Sequence, residues 1–161
     1  MILDLPLILE TRRNHALEHA TLHILERTHK ISMAGHSNPT GFFIFGDLRT
    51  EDVRAAVDEA LTRLRAGESR LAVHPGCGTN LVATAILPAT FAWAPFRGAR
   101  ATRWRLLLIP LALVFGVFGY LVSIPLGPWL QAHVTTEANL GNMQVVDIQL
   151  TRKGVHRVIT Q

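Results

Sequence analysis

A small α+β domain, built from both chain ends and carried on a two-helix transmembrane hairpin, is the architecture this sequence predicts. Three observations predict it. Asp, Glu, Lys and Arg avoid two long central stretches, residues 71–96 and 106–136. Alternating apolar runs bounded by turn residues lie on either side of them. Two helix-periodic segments, free of internal Gly and Pro, precede them. The 161 residues suffice for one compact domain of ordinary size and not for two large ones.

After a short apolar leader, residues 11–28 (TRRNHALEHATLHILERT) read as a helix of good helix formers. Steps of 100° put Ala16, Leu17, Ala20, Thr21 and Ile24 on one side, and His15, His19, His23 and Glu26 in a stripe on another. KISMAGHS and GFFIFGDL then form two extended runs around Ser37-Asn38-Pro39-Thr40-Gly41, a predicted hairpin. Thr50 is the expected N-cap of a second helix, with Glu51 and Asp52 in the first turn, where the helix dipole favours acids. Val53, Ala56, Val57, Ala60, Leu61 and Leu64 follow at helical spacing, and Gly67 ends the element. RLAVH, residues 70–74, reads as a third strand. At the far end, NMQVVDIQLTRKGVHRVITQ reads as a terminal hairpin, with Val146, Ile148 and Leu150 on one face. An isolated hairpin is marginal in water, so these strands are expected to join the earlier ones in one sheet covered by the two helices.

LLLIPLALVFGVFGYLVSIPL, residues 106–126, has the roughly 20 apolar residues a bilayer span needs. Residues 77–96 form the first expected span, weaker because Thr84, Pro88 and Thr90 interrupt it, with a buried or re-entrant segment as its alternative. Trp93, Trp104 and Trp129 sit near the span ends, where an indole favours the headgroup level. The predicted organisation is residues 1–79 as an N-terminal α+β part, 80–129 as the hairpin, and 130–161 as the strands that complete the domain. The expected location is the cell membrane, with more than one pass.

The net charge of +4 does not point to nucleic acid, because Arg97, Arg100, Arg103 and Arg105 fall in the loop at residues 96–105 and serve better as a topology signal. That signal places the loop in the cytoplasm and both chain ends outside, whereas MILDLPLILE has no basic flank and lacks the form of a cleavable signal. The two rules oppose each other, so the side of the soluble domain stays open. The single cysteine, Cys77, forms no internal disulfide. The expected partners are the lipid bilayer and a membrane-protein or peptide substrate. A homo-oligomer or larger membrane complex is also in keeping with a pair of spans.

His15-Ala16-Leu17-Glu18-His19 is the stretch that carries chemistry. Two histidines four apart share a helix face, and neutral imidazoles on one rigid element are what a zinc ion needs. The pattern resembles the His-x-x-Glu-His motif of the inverzincin metallopeptidases. That resemblance implies His15 and His19 as ligands and Glu18 as general base. It covers five residues, and this chain is far smaller than those soluble enzymes. The third-ligand candidates are His74, Cys77, Glu51 and Glu68. His74 and Cys77 are favoured, because a Pro-Gly loop can aim them at a helix face. The plain alternative is a histidine-rich polar face that includes His29 and His36, with Glu18 and Glu26 as solvated partners. In the loop HPGCGTN, the plain reading is a tight turn with Asn80 capping the next helix.

With NHALEHATLHIL near the start and HPGCGTNL before the apolar region, the chain resembles a family of small bacterial integral-membrane proteins of unknown function over most of its length. That resemblance implies a membrane protein with a small attached domain and supplies no catalytic assignment. The function expected from the residues is a membrane-associated, zinc-dependent hydrolase acting on peptide bonds near the bilayer surface. Its alternative is a non-enzymatic metal-binding or accessory membrane protein.

Overall fold

The computed structural model describes residues 2–98 and 101–161. Helices and one sheet make it an α+β protein, and the chain divides into two compact units, Met1–His74 with Gln131–Gln161, and Pro75–Leu130.

In the first unit, helix α1 (Pro6–Thr28) starts five residues before the sequence suggests. Pro6 occupies the first turn, where its fixed φ suits a helix and its missing N–H costs nothing, so the apolar leader is helical too. Strands β1 (Ala34–Asn38) and β2 (Gly41–Phe45) form the expected hairpin. Asn38 Oδ1 accepts from the Thr40 backbone N–H and hydroxyl, both at 3.0 Å, which closes the turn. Gly41 is required there: its φ is 132°, and a Cβ would run into the Val158 carbonyl. Strands β3 (Val145–Arg152) and β4 (Val155–Thr160) complete an antiparallel sheet of order β1-β2-β4-β3. Phe42 pairs with Val158 and Ile44 with His156, so the two chain ends share one sheet as expected.

Helix α2 (Thr50–Arg65) buries Val53, Ala56, Val57, Ala60 and Leu64. Those residues join Leu17, Ala20 and Leu25 of α1 and Phe42, Ile44, Ile148 and Val158 of the sheet in one core. Each large apolar side chain in it contributes about 1.5–3 kcal/mol by leaving water.

Three local expectations are corrected. Arg49, not Thr50, is the N-cap residue of α2, and the Thr50 hydroxyl faces His156 Nε2 at 3.2 Å instead. The stretch 70–74 is no strand. Ser69–Ala72 is a 3-10 turn, and the carbonyls of Ala72 and Val73 meet imidazoles of α1 rather than a neighbouring strand. On β3, the pairs Ile148↔Val158 and Leu150↔His156 keep Ile148 and Leu150 on one face, whereas a register shift between Val145 and Asp147 falls at Val146; Ile148 is buried, and Val146 and Leu150 are exposed.

The second unit is a packed helix pair, α3 (Gly78–Trp93) and α4 (Thr102–Leu130). Gly119 permits the close approach, since a Cβ there would lie 2.9 Å from the Leu87 carbonyl oxygen and 3.0 Å from Pro88 Cα. One helix, running Thr102–Thr135, is long and apolar enough to cross a membrane, and only 17% of its most apolar window is buried. A soluble core helix would hide most of that surface. The expectation of two such spans is not met among the described residues. With 16 residues, α3 reaches about 24 Å, short of the roughly 30 Å of a hydrocarbon core. Trp93, Trp104 and Trp129 are exposed, with Arg97 over the Trp93 ring and Arg103 over that of Trp104. Arg100 lies outside the described residues.

Candidate metal centre

His15, His19 and His23 recur every four residues of α1 and so share a face. That face is not the solvated surface of the plain reading. His19 is buried, and His15 and His23 are partly covered. Each ring is tied to a backbone carbonyl from elsewhere in the same unit. His15 Nδ1 lies 2.9 Å from the Thr135 oxygen, His19 Nδ1 2.7 Å from that of Ala72, and His23 Nε2 2.8 Å from that of Val73.

A carbonyl oxygen only accepts, so the ring nitrogen facing it must carry the hydrogen. Nδ1 of His15 and of His19 therefore carries a hydrogen, so that in the neutral ring the lone pair is on Nε2, and for His23 the reverse holds. The rings of His15 and His19 are 4.2 Å apart between centroids, tilted by 60°. A carbonyl holding one ring nitrogen while the other stays basic is the outer-shell arrangement of metal-binding histidines.

His74 enters this row from the turn after Ala72. Its ring lies 5.7 Å from that of His19 and 4.5 Å from that of His23. The residue is 5% exposed, and its backbone N–H donates to the fully buried Gln131 side chain at 2.9 Å. Burial pushes the His74 imidazole below its ordinary pKa, against the pull of the Glu26 carboxylate 3.2 Å from Nε2, which favours the neutral ring a metal requires. His23, Glu26 and His74 each offer a ligand atom within 4.8 Å of the other two.

Glu18 is buried, and its carboxylate accepts from the Ser37 hydroxyl of β1 at 2.5 Å. Gly35 makes room for it, since a Cβ at that position would collide with Glu18 Oε1. The carboxylate that the motif offers as a base is thus engaged with the sheet. Cys77 belongs to the second unit, where its sulfur accepts from the Thr79 N–H at 3.5 Å and so caps α3. Asn80, the expected cap, donates instead to the Pro75 carbonyl at 2.9 Å.

Among the remaining candidates, Glu68 takes Arg63 at 2.6 Å, and Glu51 sits in the first turn of α2. His29 lies 3.4 Å from Asp52, and His36 is exposed on β1. The ring anchors from Thr135, Ala72 and Val73, together with the Gln131 hydrogen bond to His74, have no sequence signal. Glu26 had one in its i, i+3 spacing from His23.

A family model described as "Domain of unknown function (DUF6391)" matches residues 10–148. An uncharacterised protein of Picosynechococcus sp. is 36% identical over 157 residues, covering 88% of this chain and 73% of the relative. No solved structure matches.

Proposed function

The chain belongs to the DUF6391 family of domains of unknown function, and from that premise we propose that it is a membrane-anchored zinc protein whose His15–His19 pair serves a hydrolytic centre for peptide bonds near the bilayer surface. The observation that carries the reading is the matched anchoring of the two rings: each Nδ1 is held by a backbone carbonyl, so the neutral rings present Nε2 as their donor atom on adjacent turns of one helix. Zinc with three protein ligands and an open position would bring a bound water to a pKa of about 7. A third protein ligand from outside α1 completes the proposed centre. Glu18, beside His19 in sequence, is the proposed base, and it must exchange the Ser37 hydroxyl for the water it activates. The apolar, largely exposed α4 is the proposed anchor, with α3 packed on it inside the same apolar layer.

The Ser37 hydrogen bond to Glu18 favours a second reading, in which the same histidines bind metal without hydrolysis. Elemental mass spectrometry on untagged, detergent-purified protein tests the metal site. His15→Ala/His19→Ala is expected to hold about one zinc fewer per chain than wild type, and an unchanged zinc content refutes both readings. A peptide-library cleavage assay separates them. Under the hydrolase reading Glu18→Gln keeps its zinc and loses cleavage, and a zinc-loaded wild type that cleaves nothing leaves the accessory role.

A further inference from the structure

We propose that His23, Glu26 and His74 form a second metal site, separate from the His15–His19 pair, that takes a divalent cation of borderline softness such as Zn2+. His23 and Glu26 stand three apart on α1 and share a face. His74 is brought to them by the segment whose Ala72 and Val73 carbonyls are held by His19 and His23. The three donor atoms lie within 4.8 Å of one another, with His74 Nε2 3.2 Å from Glu26 Oε1. Tetrahedral zinc, bonded at about 2.1 Å, spaces its ligand atoms by about 3.4 Å. The His74–Glu26 pair already stands at about that spacing, and the Glu26 side chain is 45% exposed.

Each part of the arrangement suits that ion. The hydrogen bond to Val73 holds the His23 ring and leaves its Nδ1 lone pair. His74 is buried, so its ring is held in place without help from a metal. Two imidazoles and one carboxylate favour zinc and its first-row neighbours over calcium or magnesium, which prefer oxygen. The exposed side of Glu26 leaves positions for water, so the site is expected to load and exchange its ion from solution.

None of these three residues is His15 or His19, so the two sites fail independently. The full chain in detergent is stripped with chelator and titrated with Zn2+ alone, with stoichiometry read by calorimetry and by elemental mass spectrometry after desalting. Wild type is expected to bind two zinc ions per chain, and His23→Ala/Glu26→Gln and His15→Ala/His19→Ala one each. Glu26→Gln alone changes an exposed side chain and keeps the fold, checked by circular dichroism. It is expected to weaken one of the two sites by about tenfold or more. Zinc binding by His23→Ala/Glu26→Gln equal to wild type overturns the second site, whatever the other variant does. A single zinc that is lost in both double variants overturns it as well, in favour of one shared centre.

Discussion

Helices α1 and α4 invert the usual relation between polarity and burial. Helix α1 hides Arg12, Asn14, Glu18, His19 and Thr21, while α4 leaves Leu107, Leu113, Val117, Phe118 and Leu121 exposed. The buried polar groups of α1 have identified partners. Arg12 donates to the carbonyls of Val134 at 2.8 Å and Thr136 at 3.0 Å, and Asn14 bonds Asn38 and Thr160. The apolar side chains of α4 have no such cover. Burial in α1 is therefore maintained by hydrogen-bond complementarity, whereas α4 lies in a helix long and apolar enough to cross a membrane and leaves its apolar side chains exposed.

The largest loss is expected for Arg12→Ala, which strips a buried carbonyl, that of Thr136, and a part-buried one, that of Val134, of their donor and Glu137 of a cation 3.5 Å away. A loss of about 2–4 kcal/mol is expected, read as a shift in the denaturation midpoint by circular dichroism. A change under about 1 kcal/mol would mean that water replaces the guanidinium and that α1 is less sealed than its burial implies.

Val117→Arg tests the other helix. Val117 is 60% exposed, so in a water-soluble protein the substitution would be nearly silent. In a bilayer, arginine near the middle of a span costs about 3 kcal/mol relative to valine. The expected outcome is a marked fall in the membrane fraction after alkaline extraction. Full retention there, or an unchanged soluble yield, removes α4 as an anchor.

A smaller effect is expected at His156, on β4 against the start of α2. Burial lowers the pKa of His156, with Glu51 pulling weakly the other way. The folded state therefore resists protonation more than the unfolded chain, whose histidine titrates near 6.5. Stability is complete above that pH and declines as pH falls through it, by at most about 1.4 kcal/mol per pH unit for this group. Denaturation midpoints from pH 7.5 to 5 are expected to fall less steeply in His156→Gln, the remaining slope belonging in part to His74. Identical slopes would place the proton uptake elsewhere.

Much of the fold was legible because it is local. The four-residue histidine spacing, the apolar stripe of α2 and the Asn38–Gly41 turn depend on neighbours only a few positions away. The misreadings share a cause. RLAVH has strand composition, yet its Ala72 and Val73 carbonyls are taken by imidazoles 53 and 50 residues distant. Residues 145–150 alternate in sequence, yet a pairing irregularity against β4 falls at Val146, which is exposed where Ile148 is buried. The first apolar run was long enough by count, but only residues Gly78–Trp93 are α-helical.

Read alone, the sequence already specifies that this chain joins a mixed domain to an apolar helix, because periodicity and a long run without charge are properties of the chain alone. It also determined that three histidines share one face of α1. What that face is depends on contacts made over long stretches of chain. The carbonyls of Thr135 and Ala72, 120 and 53 residues from the rings they hold, choose the tautomers of His15 and His19. The path of the chain after Ser69–Ala72 decides that His74 stands beside His23 and Glu26. A side chain's face follows from local geometry, but its hydrogen-bond partner follows from where distant backbone is laid against it.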